Sequence, residues 1–182
     1  MTELTPKERV MRVFRKEPVD TMPFFSGYGM VVMPAITKLG YRFPKIHTDV
    51  NMMVQSAIES SRMFGFDSVA VPFDMTCESQ ALGNEISLYE DSEDILYPTI
   101  PEKIWKGLDE VDIPDNILEL GRMPMVLDAI KLTKRKHPSM PSGPGNWDLL
   151  PWPDSFWNWT SCSKGSSNRK SWLKPPWIKS VT

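Results

Sequence analysis

Cysteine and histidine are scarce in this chain, with two of each in 182 residues. Cys77 and Cys162 form no Cys-x-x-Cys spacing, which excludes a disulfide framework and a cysteine knuckle for metal. The thiols read as free, in a cytoplasmic setting. A basic excess is also missing. The net charge of −2 gives no electrostatic reason to expect nucleic acid or a membrane surface as a partner. No apolar run approaches the roughly 20 residues that a bilayer-spanning helix needs. The first residues, Met1-Thr2-Glu3-Leu4-Thr5, have neither the basic nor the apolar region of a signal peptide. What is present, 41% hydrophobic and 24% charged residues, suits one ordinary globular core.

The most informative stretch runs from residue 65 to residue 88. Ser68-Val69-Ala70-Val71 alternates small and β-branched residues and predicts a short buried strand that Pro72 ends. Just past that end, Phe73-Asp74-Met75-Thr76-Cys77-Glu78 gathers two carboxylates, a hydroxyl and a thiol. In α/β folds ligands bind beyond the carboxyl ends of strands. Asp74, Thr76 and Cys77 are therefore candidate substrate-binding residues, and Glu78 the candidate for a polar catalytic role. For Glu78 a surface or salt-bridge role weighs equally, and Cys77 reads as a structural or substrate-wall thiol before a metal ligand.

Around this stretch the chain predicts alternating helices and strands, which argues for a parallel α/β architecture. Thr5-Pro6-Lys7-Glu8 is a capping box that opens a helix over residues 6–16, stopped by Pro18. Met22-Pro23-Phe24-Phe25 predicts a short strand leading into Ser26-Gly27-Tyr28-Gly29. Tyr28 joins the candidate substrate-binding residues, although an ordinary turn is the plainer reading of the two glycines. A helix over 30–39 ends at Gly40, and another, capped by Thr48 or Asp49, covers 50–64. His47, just before that cap, reads as a packing or capping group because no partner ligand stands at metal spacing. Further on, a strand is predicted at 85–89, an acidic surface turn at 90–94, and short helices at 101–108 and 116–120. A longer helix opened by Pro124 ends in the cationic Lys134-Arg135-Lys136-His137, placed against its carbonyl end.

From Gly143 the character changes. Six of the seven tryptophans lie there, with no helical or strand period. Five of the 21 basic and two of the 23 acidic residues lie there, so the tail carries +3 and residues 1–142 carry −5. Interleaved tryptophan and lysine could serve as a stacking surface in a non-enzymatic binding module. A reading-frame error accounts for the tail better. Joining the third base of each codon to the first two of the next forces leucine at Asn146/Trp147, glycine at Trp147/Asp148 and alanine at Trp152/Pro153. The same shift forces Leu-Glu-Leu-Asp across Phe156-Trp157-Asn158-Trp159-Thr160. Permitted codons then allow Leu-Gly-Pro-Phe-Thr-Leu-Ala-Gly from residue 146, and an amphipathic helix from residue 161. The expected organisation is a partial α/β barrel over 1–142 and an out-of-frame, irregular tail over 143–182.

Several segments together carry a family resemblance. They are Thr5-Pro6-Lys7-Glu8-Arg9-Val10, Val19-Asp20-Thr21-Met22-Pro23, His47-Thr48-Asp49, the run from Gly65 to Glu78, and Ala81-Leu82-Gly83. Residues 5 to about 140 resemble the N-terminal part of the uroporphyrinogen decarboxylase superfamily, and within it the methylcobamide:coenzyme M methyltransferases. The shifted frame adds a Gly-Pro-Phe-Thr-Leu-Ala-Gly segment that is also a family feature. The resemblance implies a TIM (β/α)8 barrel, of which this chain holds an incomplete N-terminal part. It implies a methyl transfer from a methylated corrinoid protein to a small thiol, with zinc and methylcobamide as cofactors of the full-length family. The family's zinc ligands lie in the later half of the barrel, so no metal ligand is assigned here and no cofactor is expected to bind this chain tightly. A decarboxylase of porphyrin biosynthesis is the alternative. The lack of arginine between Arg15 and Arg42 counts against it, because a polycarboxylate substrate needs arginine forks.

Overall fold

The computed structural model describes residues 3–25, 30–105, 107 and 110–143. The expected tail beyond residue 143 therefore lies outside the described residues. Helix α1 spans Pro6–Phe14 and opens on the predicted box: the Glu8 N–H donates to Thr5 Oγ1, and Glu8 Oε2 accepts from the Thr5 N–H. Helix α2 (Met33–Leu39) ends at Gly40, whose φ of 70° is the left-handed conformation that glycine adopts without strain. A 3₁₀ turn over Pro44–His47 precedes helix α3 (Val50–Phe64), whose first turn is capped by Asp49 Oδ1 accepting from the Met52 N–H at 2.8 Å. Strand β1 (Val69–Ala70) follows, then helix α4 (Cys77–Ala81), a 3₁₀ turn over Ile117–Glu119, helix α5 (Met123–Lys136) and strand β2 (Ser142–Gly143).

The organising feature is a pair of αβ units. Helix α3 leads into β1 and α5 leads into β2, and the strands pair in parallel with Val69 opposite Ser142 and Ala70 opposite Gly143. Parallel strands require a crossover between them, which the long segment from α4 to α5 supplies. The helices bury one shared face. Met53, Val54 and Ala57 of α3 and Val126, Ala129 and Ile130 of α5 enclose Val69 and Val71 in one core. A smaller cluster of Ile36, Phe43 and Ile46 lies under α2 and the first 3₁₀ turn. Arg9, buried on α1, ties the N-terminus to this body: it pairs with Asp20 at 2.7 Å and with Asp67 at 2.6 Å. Among the described residues no helix is long and apolar enough to cross a membrane.

Several expectations need correction. Residues 22–25 are not a strand: Asp67 donates its N–H to the Phe24 carbonyl, but its own carboxylate captures the Phe24 N–H, so no ladder continues. The strand at 85–89 is a single antiparallel bridge, Ser87 to Thr99, because Tyr89 takes a left-handed φ of 54° and ends the extended run. Residues 101–105 are not helical; the Ile104 N–H is held by the Asn84 side chain instead of a helix carbonyl. The expected strand 68–71 is two residues long, and β2 stands at the very boundary where the tail was expected to begin. Among the described residues the parallel sheet has two strands and closes no barrel.

Candidate functional site

The loop that leaves β1 turns back on Asp74. The local reason is an Asx turn: Asp74 Oδ1 accepts from the Thr76 N–H at 3.0 Å and from the Thr76 hydroxyl at 2.6 Å. Thr76 stands at the N-cap of α4 but does not cap it, because its hydroxyl is already committed to Asp74. Asp74 is buried, and a buried carboxylate needs a cation. Arg122 provides it, donating from Nη1 to Oδ2 at 3.0 Å and from Nη2 to Oδ1 at 3.1 Å. This is the two-pronged geometry in which a guanidinium fits a carboxylate best.

Arg122 is itself saturated. It also donates to the His47 carbonyl at 3.1 Å, to Thr76 Oγ1 at 2.6 Å and from Nε to Gln80 Oε1 at 2.8 Å. The approach depends on Gly121. Its φ is +55°, and a Cβ there would meet the Ala81 amide nitrogen at 3.0 Å, so only glycine lets the backbone come this close to α4. His47 completes the ring of contacts, with Nδ1 at 3.2 Å from Asp74 Oδ2. Burial pushes the Asp74 carboxyl up, but the hydrogen bonds from His47, Arg122 and Thr76 outweigh it and hold the group below the ordinary carboxylate range.

The predicted site residues separate here. Asp74, Thr76 and Cys77 meet in one cluster, whereas Glu78 is exposed on the first turn of α4. Tyr28 lies outside the described residues. Cys77 is buried, with Sγ 3.9 Å from Asp74 Oδ1. Burial, helped by the Asp74 charge, pushes its thiol up to about 12. The structural reading of Cys77 follows: iodoacetamide at about pH 8 should leave it unmodified in the folded chain and alkylate it in urea. Peptide mapping reads the outcome, and fast labelling of Cys77 without urea would contradict this packing.

Two contributors were not legible as site residues. The one sequence signal at Arg122 is indirect: a cation at the N-terminal end of a helix opposes the helix dipole and so signals a partner elsewhere. His47, expected as a packing or capping group, sits on Phe43, with ring centroids 5.2 Å apart. It is also bonded to the central carboxylate. Among the described residues no group of three His, Cys, Asp or Glu side chains could hold a metal ion. The described residues therefore supply no ligand set for the zinc that the resemblance implies.

Comparison with known proteins places these observations. Residues 5–142 match the family described as Uroporphyrinogen decarboxylase (URO-D), so the match contains the whole Asp74 cluster and stops where the tryptophan-rich tail begins. Over 138 residues the chain is 33% identical to a methylcobamide:CoM methyltransferase, MtbA, of Methanosarcina mazei, and 31% identical to the MtbA of Methanosarcina acetivorans. Each alignment covers 75% of this chain and 40% of the relative. A solved methyltransferase from Methanosarcina mazei superposes with a TM-score of 0.67 at 28% identity, over 77% of this chain and 41% of that one. The chain thus spans about two fifths of the length of the relatives it matches.

Proposed function

Because the chain belongs to the uroporphyrinogen decarboxylase family, we propose that it is the N-terminal part of a corrinoid-dependent methyltransferase, one that moves a methyl group from a methylated corrinoid protein to a small thiol such as coenzyme M. One observation carries this reading: the matched relatives are methylcobamide:CoM methyltransferases, and the family match over residues 5–142 contains the whole of the Asp74 cluster. The geometry supports it against decarboxylation. All three nitrogens of Arg122, the cation at the site, are committed to Asp74, His47, Thr76 and Gln80, which leaves no fork there for substrate carboxylates.

In this reading residues 1–142 form the first αβ units of a barrel, and Asp74 organises one loop at the carboxyl end of its strand. Asp74 and Thr76 shape a substrate wall with Cys77 packed behind it, while Tyr28 and Glu78 remain candidates at its margin. Residues 143–182 are an out-of-frame tail. The family match ends at residue 142, in keeping with that boundary. The described residues offer no ligand set for zinc.

An assay with methylcobalamin and coenzyme M tests the proposal. The chain as written should transfer no methyl group and carry no stoichiometric zinc. A chain whose frame is restored near Gly143 should form methyl-coenzyme M. A repaired, folded chain that methylates no thiol would overturn the reading.

A further inference from the structure

His47 is fully buried, yet among the described residues its Nε2 has no hydrogen-bond partner. Its other ring nitrogen faces Asp74, which Arg122 holds as a carboxylate, and a carboxylate only accepts. In the neutral ring the hydrogen between them sits on Nδ1, and Nε2 presents a bare lone pair. Leaving a buried acceptor empty carries the whole cost of its desolvation, with nothing in return. Such an arrangement is sustained when a ligand supplies the missing donor.

The surroundings define the ligand. Three aromatic rings lie about the imidazole: Phe43 at 5.2 Å, Tyr97 at 5.5 Å and Phe73 at 6.2 Å between centroids. Phe43 is 4% exposed and Phe73 packs against both apolar clusters, so these two are fixed walls. Tyr97 is 49% exposed, on the segment held by the Ser87–Thr99 bridge, and is the solvent-facing side of the enclosure. Asp74 and Arg122 already neutralise each other, so a charged group against Nε2 would be buried without a counter-ion. The end of the ligand that reaches Nε2 is therefore a compact uncharged donor, any charge it carries elsewhere staying outside the rings, and sulfur suits an aromatic shell.

We propose that His47 Nε2 is a ligand-contacting acceptor, which takes a hydrogen bond from the S–H of a small thiol admitted by displacement of the Tyr97 ring. The acceptor site stands on the geometry alone, whereas the choice of thiol as the physiological donor rests on the function proposed above. In the sequence His47 stood apart from the candidate site. The fold brings it there through Asp74.

Nitrogen NMR of the frame-restored chain tests this, with isotope-labelled histidine and the His47 signals identified by their loss in His47→Gln. The hydrogen should be found on Nδ1, and ethanethiol should shift the Nε2 resonance saturably. Ethyl methyl sulfide, which keeps the apolar body but lacks the S–H, should leave Nε2 unmoved. A hydrogen on Nε2, equal effects of thiol and sulfide, or no response to either thiol used would overturn the proposal. Coenzyme M is the second thiol, with its binding followed independently by calorimetry. If it binds without moving Nε2, the acceptor site falls and the proposed function stands. If ethanethiol moves Nε2 and coenzyme M does not bind, the acceptor site stands and the proposed function loses support.

Discussion

Replacing Arg122 with methionine is expected to cost the fold about 4 kcal/mol, since removing one partner of a buried ion pair leaves the other charge uncompensated. Asp74 would keep its burial and lose the cation that answers it, and the His47 carbonyl and Gln80 would lose a donor as well. Native-state amide exchange reads the loss without assuming a single cooperative transition. Protection of the Thr76 and α4 amides should fall by roughly a thousandfold, at 1.4 kcal/mol per factor of ten. The double variant Asp74→Leu with Arg122→Met should lose far less, because an apolar pair of similar volume carries no stranded charge. The pH dependence separates the two states further. In the native chain the Asp74 carboxyl is depressed, so its stabilisation is present above the unfolded value of about 3.9 and is lost as pH falls through the lower folded value. In Arg122→Met, burial acts without the guanidinium and favours the neutral acid, so acidification should relieve part of the defect. Unchanged exchange in Arg122→Met would mean that Asp74 is not the centre of this loop.

Restoring the reading frame near Gly143 is expected to change the behaviour of the whole chain. The two-stranded sheet of the described residues has β1 and β2 as its own edges, and unpaired strand edges invite aggregation. A closed barrel abolishes edges. The repaired chain should therefore stay soluble and unfold in one sharp transition. The chain as written should aggregate or be cut by proteases, because apolar side chains such as Met22 (75% exposed) and Phe24 (59% exposed) are left uncovered. Size-exclusion chromatography and calorimetry of the two chains side by side decide it. One sharp, reversible transition in the chain as written would make the tail a genuine part of the protein.

The elements that local chemistry dictates were legible in the sequence. Thr5 with Glu8, Asp49 and Gly40 each act within a few residues of themselves, so these helix ends followed from residue type and spacing. Strands were less legible because a ladder needs a partner that the strand's own residues do not name. At Phe24 a carboxylate 43 residues away took the N–H, and at Tyr89 the backbone turned left-handed. The site was half legible for the same reason. Asp74, Thr76 and Cys77 lie within four residues and could be seen together, but Arg122 is 48 residues from Asp74 and His47 is 27. Only the αβ pairing brings those three side chains into contact.

The central claim is that residues 1–142 are the N-terminal part of a family methyltransferase and that the residues beyond are read out of frame. Resequencing the gene across the codons for residues 141–146 tests it most directly. The account predicts a single-base insertion or deletion there, after which the corrected frame reads Gly-Pro-Phe-Thr-Leu-Ala-Gly and continues open past the codon for Thr182. A confirmed sequence identical to the present one, with a stop codon soon closing the shifted frame, would contradict it.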